Sequence, residues 1–171
     1  MNQRIVSLAP SNTEILFALE KQNEIVGVTA YCDYPAEALQ KTRVGSWTKV
    51  NFEKIKSLSP TLCVTSTFLQ DKIVQELQEM GLLVFHSDPK NLEEVLESIH
   101  ALGKQVDASK KAYALVKNIR NELKQINSLQ KNESVLPKMF VLEWHQPLTV
   151  SCNWVPDIVQ LAGAEPVLAA A

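Results

Sequence analysis

The chain has 171 residues, of which 46% are hydrophobic and 21% charged, with a formal net charge of −2. That length holds one domain and part of a second, and a charge so close to zero offers no electrostatic handle for nucleic acid or an anionic membrane surface. No apolar run approaches the roughly 20 residues a membrane span needs, and no signal peptide is visible in MNQRIVSLAP.

In chain order, short apolar runs alternate with helical patterns. RIVSLA (4–9) is expected as a strand, followed by a helix over 11–21 with Ser11 and Glu14 in capping-box spacing. EIVGVT (24–29) is a second strand, and Val44-Gly45 a short strand or turn. NFEKIKSLSP (51–60) is a short helix stopped by Pro60, and TLCVTST (61–67) a strand. LQDKIVQELQEMG (69–81) is a helix ending on Gly81, LLVFHS (82–87) a strand, and 91–104 a helix with Asn91 as N-cap. Strands that are apolar on both faces and alternate with helices imply a parallel sheet covered on both sides, a Rossmann-like α/β lobe.

The rhythm then changes. Residues 107–130 contain no Gly or Pro, and Ala112, Leu115, Val116, Ile119, Leu123 and Ile126 recur at helical spacing. A helix of that length spans roughly 36 Å at about 1.5 Å per residue. A strand over 139–144 and a helix over 154–164 open a second α/β unit before the sequence stops at EPVLAAA. One strand and one helix cannot cover each other's apolar faces. The expected organisation is therefore an N-terminal lobe over 1–104, a long helix and linker over 105–134, and the start of an apparently truncated lobe over 135–171. Such a fragment is expected to self-associate through its incomplete lobe.

The chemistry-bearing residues are sparse. Cys32, Cys63 and Cys152 form neither a CxxC pair nor a disulfide framework, and with three scattered histidines they give no zinc spacing. Cys63, inside TLCVT, reads as a small buried hydrophobe. There is no GxGxxG, P-loop or GxSxG. Ser7, Ser11, His86, His100 and His145 have no triad spacing, so no enzyme, catalytic cofactor or metal site is expected. Open α/β sheets bind ligands at the C-terminal ends of their strands, and Pro10, Ser11, Tyr31, Thr65–Phe68 and His86–Asp88 all fall there. Tyr31 and Trp47 would offer flat apolar faces at low entropic cost, whereas Tyr34, ahead of Pro35, is expected to pack inward. Cys32 is read as a partly buried neutral thiol.

The segments RIVSLAPSNTEILFAL, IVGVTAYCDYP and VGSWTKVNFEKIKSLSPTLCV resemble the N-terminal lobe of the periplasmic binding proteins of ABC importers for vitamin B12, ferric siderophores and haem. EWHQPLTVSCNWVPDIVQLAGAEPVL resembles the start of that class's second lobe. The spacing of Tyr31, Asp33-Tyr34-Pro35 and Trp47 is most similar to the cobalamin-binding branch. The resemblance implies two Rossmann-like lobes joined by a rigid helix, with the ligand in the cleft between them. It implies that Tyr31 and Trp47 pack against a corrin ring and its lower base, that Trp154 faces the cleft, and that Glu53 docks on the membrane permease. A second docking acid would lie in a part of the lobe that this sequence lacks. The implied function is capture of a cobalamin-type corrinoid and its delivery to an ABC permease. The alternatives are a ferric siderophore or haem carrier of the same class, or a cytoplasmic corrinoid-handling protein. The implied location is periplasmic or cell-surface, with the cytoplasm as the alternative because no export signal is present here.

Overall fold

The computed structural model describes residues 3–129 and 135–167. Its described residues divide into two compact units, one formed by those up to Asp88 together with Leu102–Lys111, the other by Pro89–Ala101 and those from Ala112 onward.

The first unit is built on five parallel strands. These are β1 (Ile5–Ser7), β2 (Ile25–Val28), β3 (Thr42–Arg43), β4 (Leu62–Ser66) and β5 (Val84–Ser87), in the order β3-β2-β1-β4-β5. Every residue of β1 and β4 is buried, as expected of central strands covered on both faces. Their register sets Val6 beside Cys63 and Ser7 beside Val64. Between them come α1 (Pro10–Ala18), α2 (Phe52–Ser57) and α3 (Asp71–Glu79). Val6, Leu8, Val44, Ile55, Cys63, Ile73 and Leu77 close into one buried core cluster. Ile73 and Leu77 reach it from the same face of α3, one turn apart. Inside this core, burial pushes the Cys63 thiol up to about 12. Helix α3 is introduced by a 3₁₀ turn over Phe68–Gln70 and followed by Gly81 at φ +76°, the left-handed residue expected after a helix end.

Helix α1 differs from expectation. It begins at Pro10 with Ala9 as N-cap, no side chain caps it, and it ends at Ala18. Proline's fixed φ suits the first helical position, which moves the cap back to Ala9 and places Ser11 inside the first turn, not at the cap.

Helices α4 (Leu92–Gln105) and α5 (Ser109–Ser128) each run from one unit into the other. Asn91 Oδ1 accepts the Glu94 N–H at 2.9 Å and Glu94 Oε2 accepts the Lys90 N–H at 2.7 Å, so α4 starts with side-chain caps. The 20 residues of α5 span roughly 30 Å. Residue 130 of the expected long helix and residues 130–134 of the expected linker lie outside the described residues.

The second unit is smaller in its sheets. The expected strand over 139–144 is two pieces, β6 (Lys138–Met139) and β7 (Leu142–His145). The two pieces belong to different sheets, because β7 turns back through Gln146-Pro147 and pairs antiparallel with β8 (Leu148–Val150) and not with the partner of β6. Helix α6 (Val155–Leu161) follows, and β9 (Glu165–Pro166) pairs parallel with β6.

Candidate functional site

The strand order reverses at β1, with β2 on one side and β4 on the other, and a parallel sheet opens a crevice beyond such a point. Three loops meet there. The first, leaving β1, runs straight into α1, whose opening residues are Pro10, half-buried, and Ser11, exposed.

The second leaves β2. Its floor is Cys32, fully buried, with Sγ 3.2 Å from Thr29 Oγ1 and 4.0 Å from the Ser7 carbonyl oxygen. The Cys32 N–H donates to Thr29 O at 3.2 Å. Arg43 Nη1 ties the turn down, donating to Thr29 O at 2.6 Å and Cys32 O at 2.9 Å. With 29 and 32 fixed, Tyr31 is thrown outward and is 63% exposed. Tyr34 is equally exposed, against the expectation that it packs inward. The inward space beneath this turn belongs to Cys32, and Ala38 of the next 3₁₀ turn is the residue buried after Pro35.

The third loop is a tight turn over Gly45–Val50. Gly45 and Val50 form an antiparallel bridge, Ser46 N–H donates to Lys49 O at 2.8 Å, and Ser46 Oγ accepts the Lys49 N–H at 3.2 Å. Trp47 stands at its tip, half-buried, its indole Nε1 enclosed with no hydrogen-bond partner among the described residues. Leaving such a donor unpaired costs about 1–3 kcal/mol, so an acceptor brought beside it would be held firmly.

Pro10, Tyr31, Ser46, Trp47 and Thr48 together line one hollow of about 420 Å³. Three of the residues singled out from sequence thus share a wall, and Ser11 stands outside its lining. Ser46 and Thr48 were missed, although their places on either side of Trp47 would have found them. Trp154 belongs to the other unit, half-buried at the N-cap of α6. Glu53 is exposed in the first turn of α2, whose N-cap Asn51 accepts the Lys54 N–H at 2.9 Å. A larger hollow of about 610 Å³ lies within the second unit, lined by leucines and by the Glu93–Arg120 ion pair. It holds none of the candidate site residues singled out from the sequence.

One polar chain resembles catalytic machinery. Thr65 Oγ1 lies 2.9 Å from His86 Nδ1, and His86 Nε2 lies 3.5 Å from Asp71 Oδ1. Thr65 is fully buried within β4, so its hydroxyl has no approach to a substrate. The chain of contacts braces the ends of β4 and β5. Among the described residues, no group of three or more His, Cys, Asp and Glu is placed to hold a metal ion.

Comparison with known proteins agrees with this architecture. An ABC transporter substrate-binding lipoprotein of Bacillus subtilis is 38% identical over 136 residues, covering 77% of this chain and 43% of its own length. The periplasmic vitamin B12 binding protein of Vibrio cholerae superposes with a TM-score of 0.84 at 26% identity, over 99% of this chain and 67% of that one. A periplasmic haem-binding protein from Pseudomonas aeruginosa also reaches 0.84, at 21% identity over 99% of this chain and 64% of its own, a likeness of fold. The chain spans 43–60% of the length of the curated relatives it matches. The family profile of periplasmic binding proteins matches residues 5–171, and the chain belongs to that family.

Proposed function

We propose that this chain forms part of the extracytoplasmic solute-binding protein of an ABC importer, and that its first unit offers one wall for a flat metal macrocycle. The observation that carries this reading is the hollow of about 420 Å³ with Tyr31, Trp47 and Pro10 in its lining. Aromatic faces and a proline ring give a large, rigid, apolar contact surface for a planar ligand.

Within that class a cobalamin-type corrinoid is the first assignment. The lining contains no His, Cys or Met to bind a metal, and Cys32, the nearest thiol in sequence, is fully buried. The wall therefore suits a ligand that brings its own axial base. Haem is the second reading, and one observation favours it. The Tyr31 side chain lies in the lining and is largely exposed, and a tyrosine oxygen is an established haem-iron ligand. An anionic siderophore fits less well, because both arginines of the first unit's sheet region are committed to backbone carbonyls. Arg4 donates to Leu58 O and Ser59 O, and Arg43 to Thr29 O and Cys32 O.

Glu53 is assigned to permease docking. Its exposed carboxylate in the first turn of a capped helix is free to orient a positively charged partner, an effect on specificity and encounter more than on raw affinity.

The test is calorimetric titration of cyanocobalamin and of haemin into the 171-residue chain, with Trp47→Ala alongside. Binding of one of them, weakened about tenfold or more in the variant, is the expected result. Failure of both to bind a folded protein would overturn the ligand assignment. Glu53→Arg is expected to leave the titration unchanged while reducing the chain's stimulation of its transporter's ATPase activity.

A further inference from the structure

We propose that Gln70 is the positioning residue that sets Trp47 against the ligand, an inference that rests on the reading of the Trp47 hollow as a ligand wall.

Gln70 lies in FLQDK, the short 3₁₀ turn before α3, where an amide would ordinarily face water. It is instead fully buried. Each of its amide atoms has a backbone partner. Nε2 donates to Leu8 O at 2.9 Å and to Trp47 O at 2.7 Å, and Oε1 accepts the Ser66 N–H at 2.8 Å. The amide orientation follows from these partners. Two carbonyls need the NH₂ group and one N–H needs the oxygen, so the reverse placement would set like against like at all three contacts.

The three partners come from three separate segments. Leu8 follows β1 and leads into Pro10. Ser66 ends β4. Trp47 is the tip of the Gly45–Val50 turn. One side chain thus spans the point where the strand order reverses and pins a loop to it. The turn over Gly45–Val50 is closed by its own hydrogen bonds, and its base is held by Ala30 N–H donating to Gly45 O at 2.8 Å. Those bonds fix the loop's shape and root. Among the described residues, the hydrogen bond at its tip comes from Gln70.

The backbone beside Gln70 carries strain that this arrangement holds in place. Thr67 is β-branched yet has φ +66° and ψ 153°, a conformation that costs about 1–3 kcal/mol and persists only where surrounding contacts over-determine it. Here Thr67 N–H donates to Ser87 O at 2.9 Å and Thr67 O accepts the Gln70 N–H at 3.0 Å. That bend turns the Gln70 side chain back beneath the ends of β1 and β4.

The experiment uses the 171-residue chain with Trp144 and Trp154 replaced by Phe, so that Trp47 is the sole indole of the three. Acrylamide quenching of Trp47 emission is compared among Gln70, Gln70→Met and Gln70→Glu. Methionine keeps the shape and loses every hydrogen bond; glutamate keeps the acceptor for Ser66 N–H and loses both donors. A quenching constant at least about doubled in both variants, with far-UV dichroism unchanged, is expected once the Trp47 carbonyl loses its donor. Chains with all three tryptophans are then titrated with cyanocobalamin and haemin, where Gln70→Met is expected to weaken binding about tenfold. Unchanged quenching in folded variants would overturn the role of Gln70. A wild-type chain that binds neither ligand, yet shows the quenching change, would overturn the ligand reading and leave the clamp standing. Should both variants fail to fold, exchange of the Gln70 side-chain amide protons in the unaltered protein decides. Protection of about a hundredfold over exposed amides is expected, and unprotected exchange would overturn the inference.

Discussion

Gly45 shows how much of the wall depends on single positions. Its φ is +133°, and a Cβ there would sit 2.4 Å from Lys49 O and 2.7 Å from Val50 Cα, both backbone atoms that cannot give way cheaply. Gly45→Ala is therefore expected to lower unfolding free energy by about 1–3 kcal/mol in a urea titration, and to open the turn that carries Trp47. A variant as stable as the parent would show that the turn can close by another route. The glycine and the tryptophan are both visible in VGSW, which is why this loop was legible in the sequence. Gln70 and Arg43 were not. Each has a surface residue's chemistry, and only the meeting of distant segments gives it buried or half-buried partners: Leu8, Trp47 and Ser66 for one, Thr29 and Cys32 for the other. Tyr34 failed for a related reason. Local turn chemistry says that something packs inward after β2, but not that Cys32 already has that place.

At the scale of elements, strands were read well where burial on both faces left an unbroken apolar run, as in β1 and β4. Helix ends were read well where the cap is local, as with Asn91, and less well where Pro10 displaced the expected cap at Ser11. A cap contributed from far along the chain is invisible to such reading. Asp157 Oδ2 accepts the Leu92 N–H at 2.7 Å, from 65 residues away, while sitting in the first turn of α6. One carboxylate thus serves the amino ends of two helices, where negative charge is favoured. Asp157→Ala is expected to cost about 1 kcal/mol or somewhat more, within the usual range for a lost cap. Asp157→Asn, which keeps an acceptor, should recover most of that loss in thermal unfolding followed by circular dichroism. Equal destabilisation by both variants would mean that charge at the α6 terminus, and not the bond to Leu92, carries the effect.

For the molecule as a whole, the two units differ in how far their backbone is withdrawn from water. The parallel sheet was legible because its pattern repeats across β1, β2, β4 and β5, whereas the two-residue β3 lies just ahead of the short strand or turn expected at Val44-Gly45 and is too short to show any pattern. The second unit's sheets were not, since β8 and β9 are too short to show any period and β7 is exposed along its whole length. This contrast has a consequence for local stability, because opening free energy follows the buried apolar contacts that an opening must break. Amides of β1 and β4, with fully buried residues on both faces, are expected to exchange only through global unfolding. Amides of the β7–β8 hairpin, where Leu142, Trp144 and Leu148 are exposed, are expected to exchange at least about a hundredfold faster, through local opening. Native-state hydrogen exchange followed residue by residue measures both sets in one sample. Hairpin amides protected as strongly as those of β4 would mean that the exposed face is covered in solution by another polypeptide surface. Repeating the measurement over a range of protein concentrations separates the cases, since protection that rises with concentration reports a second copy of the chain. A wall for the ligand set on the slow-exchanging sheet would then keep its geometry whatever the hairpin does, because Leu8 and Ser66, which hold Gln70, lie at the ends of β1 and β4.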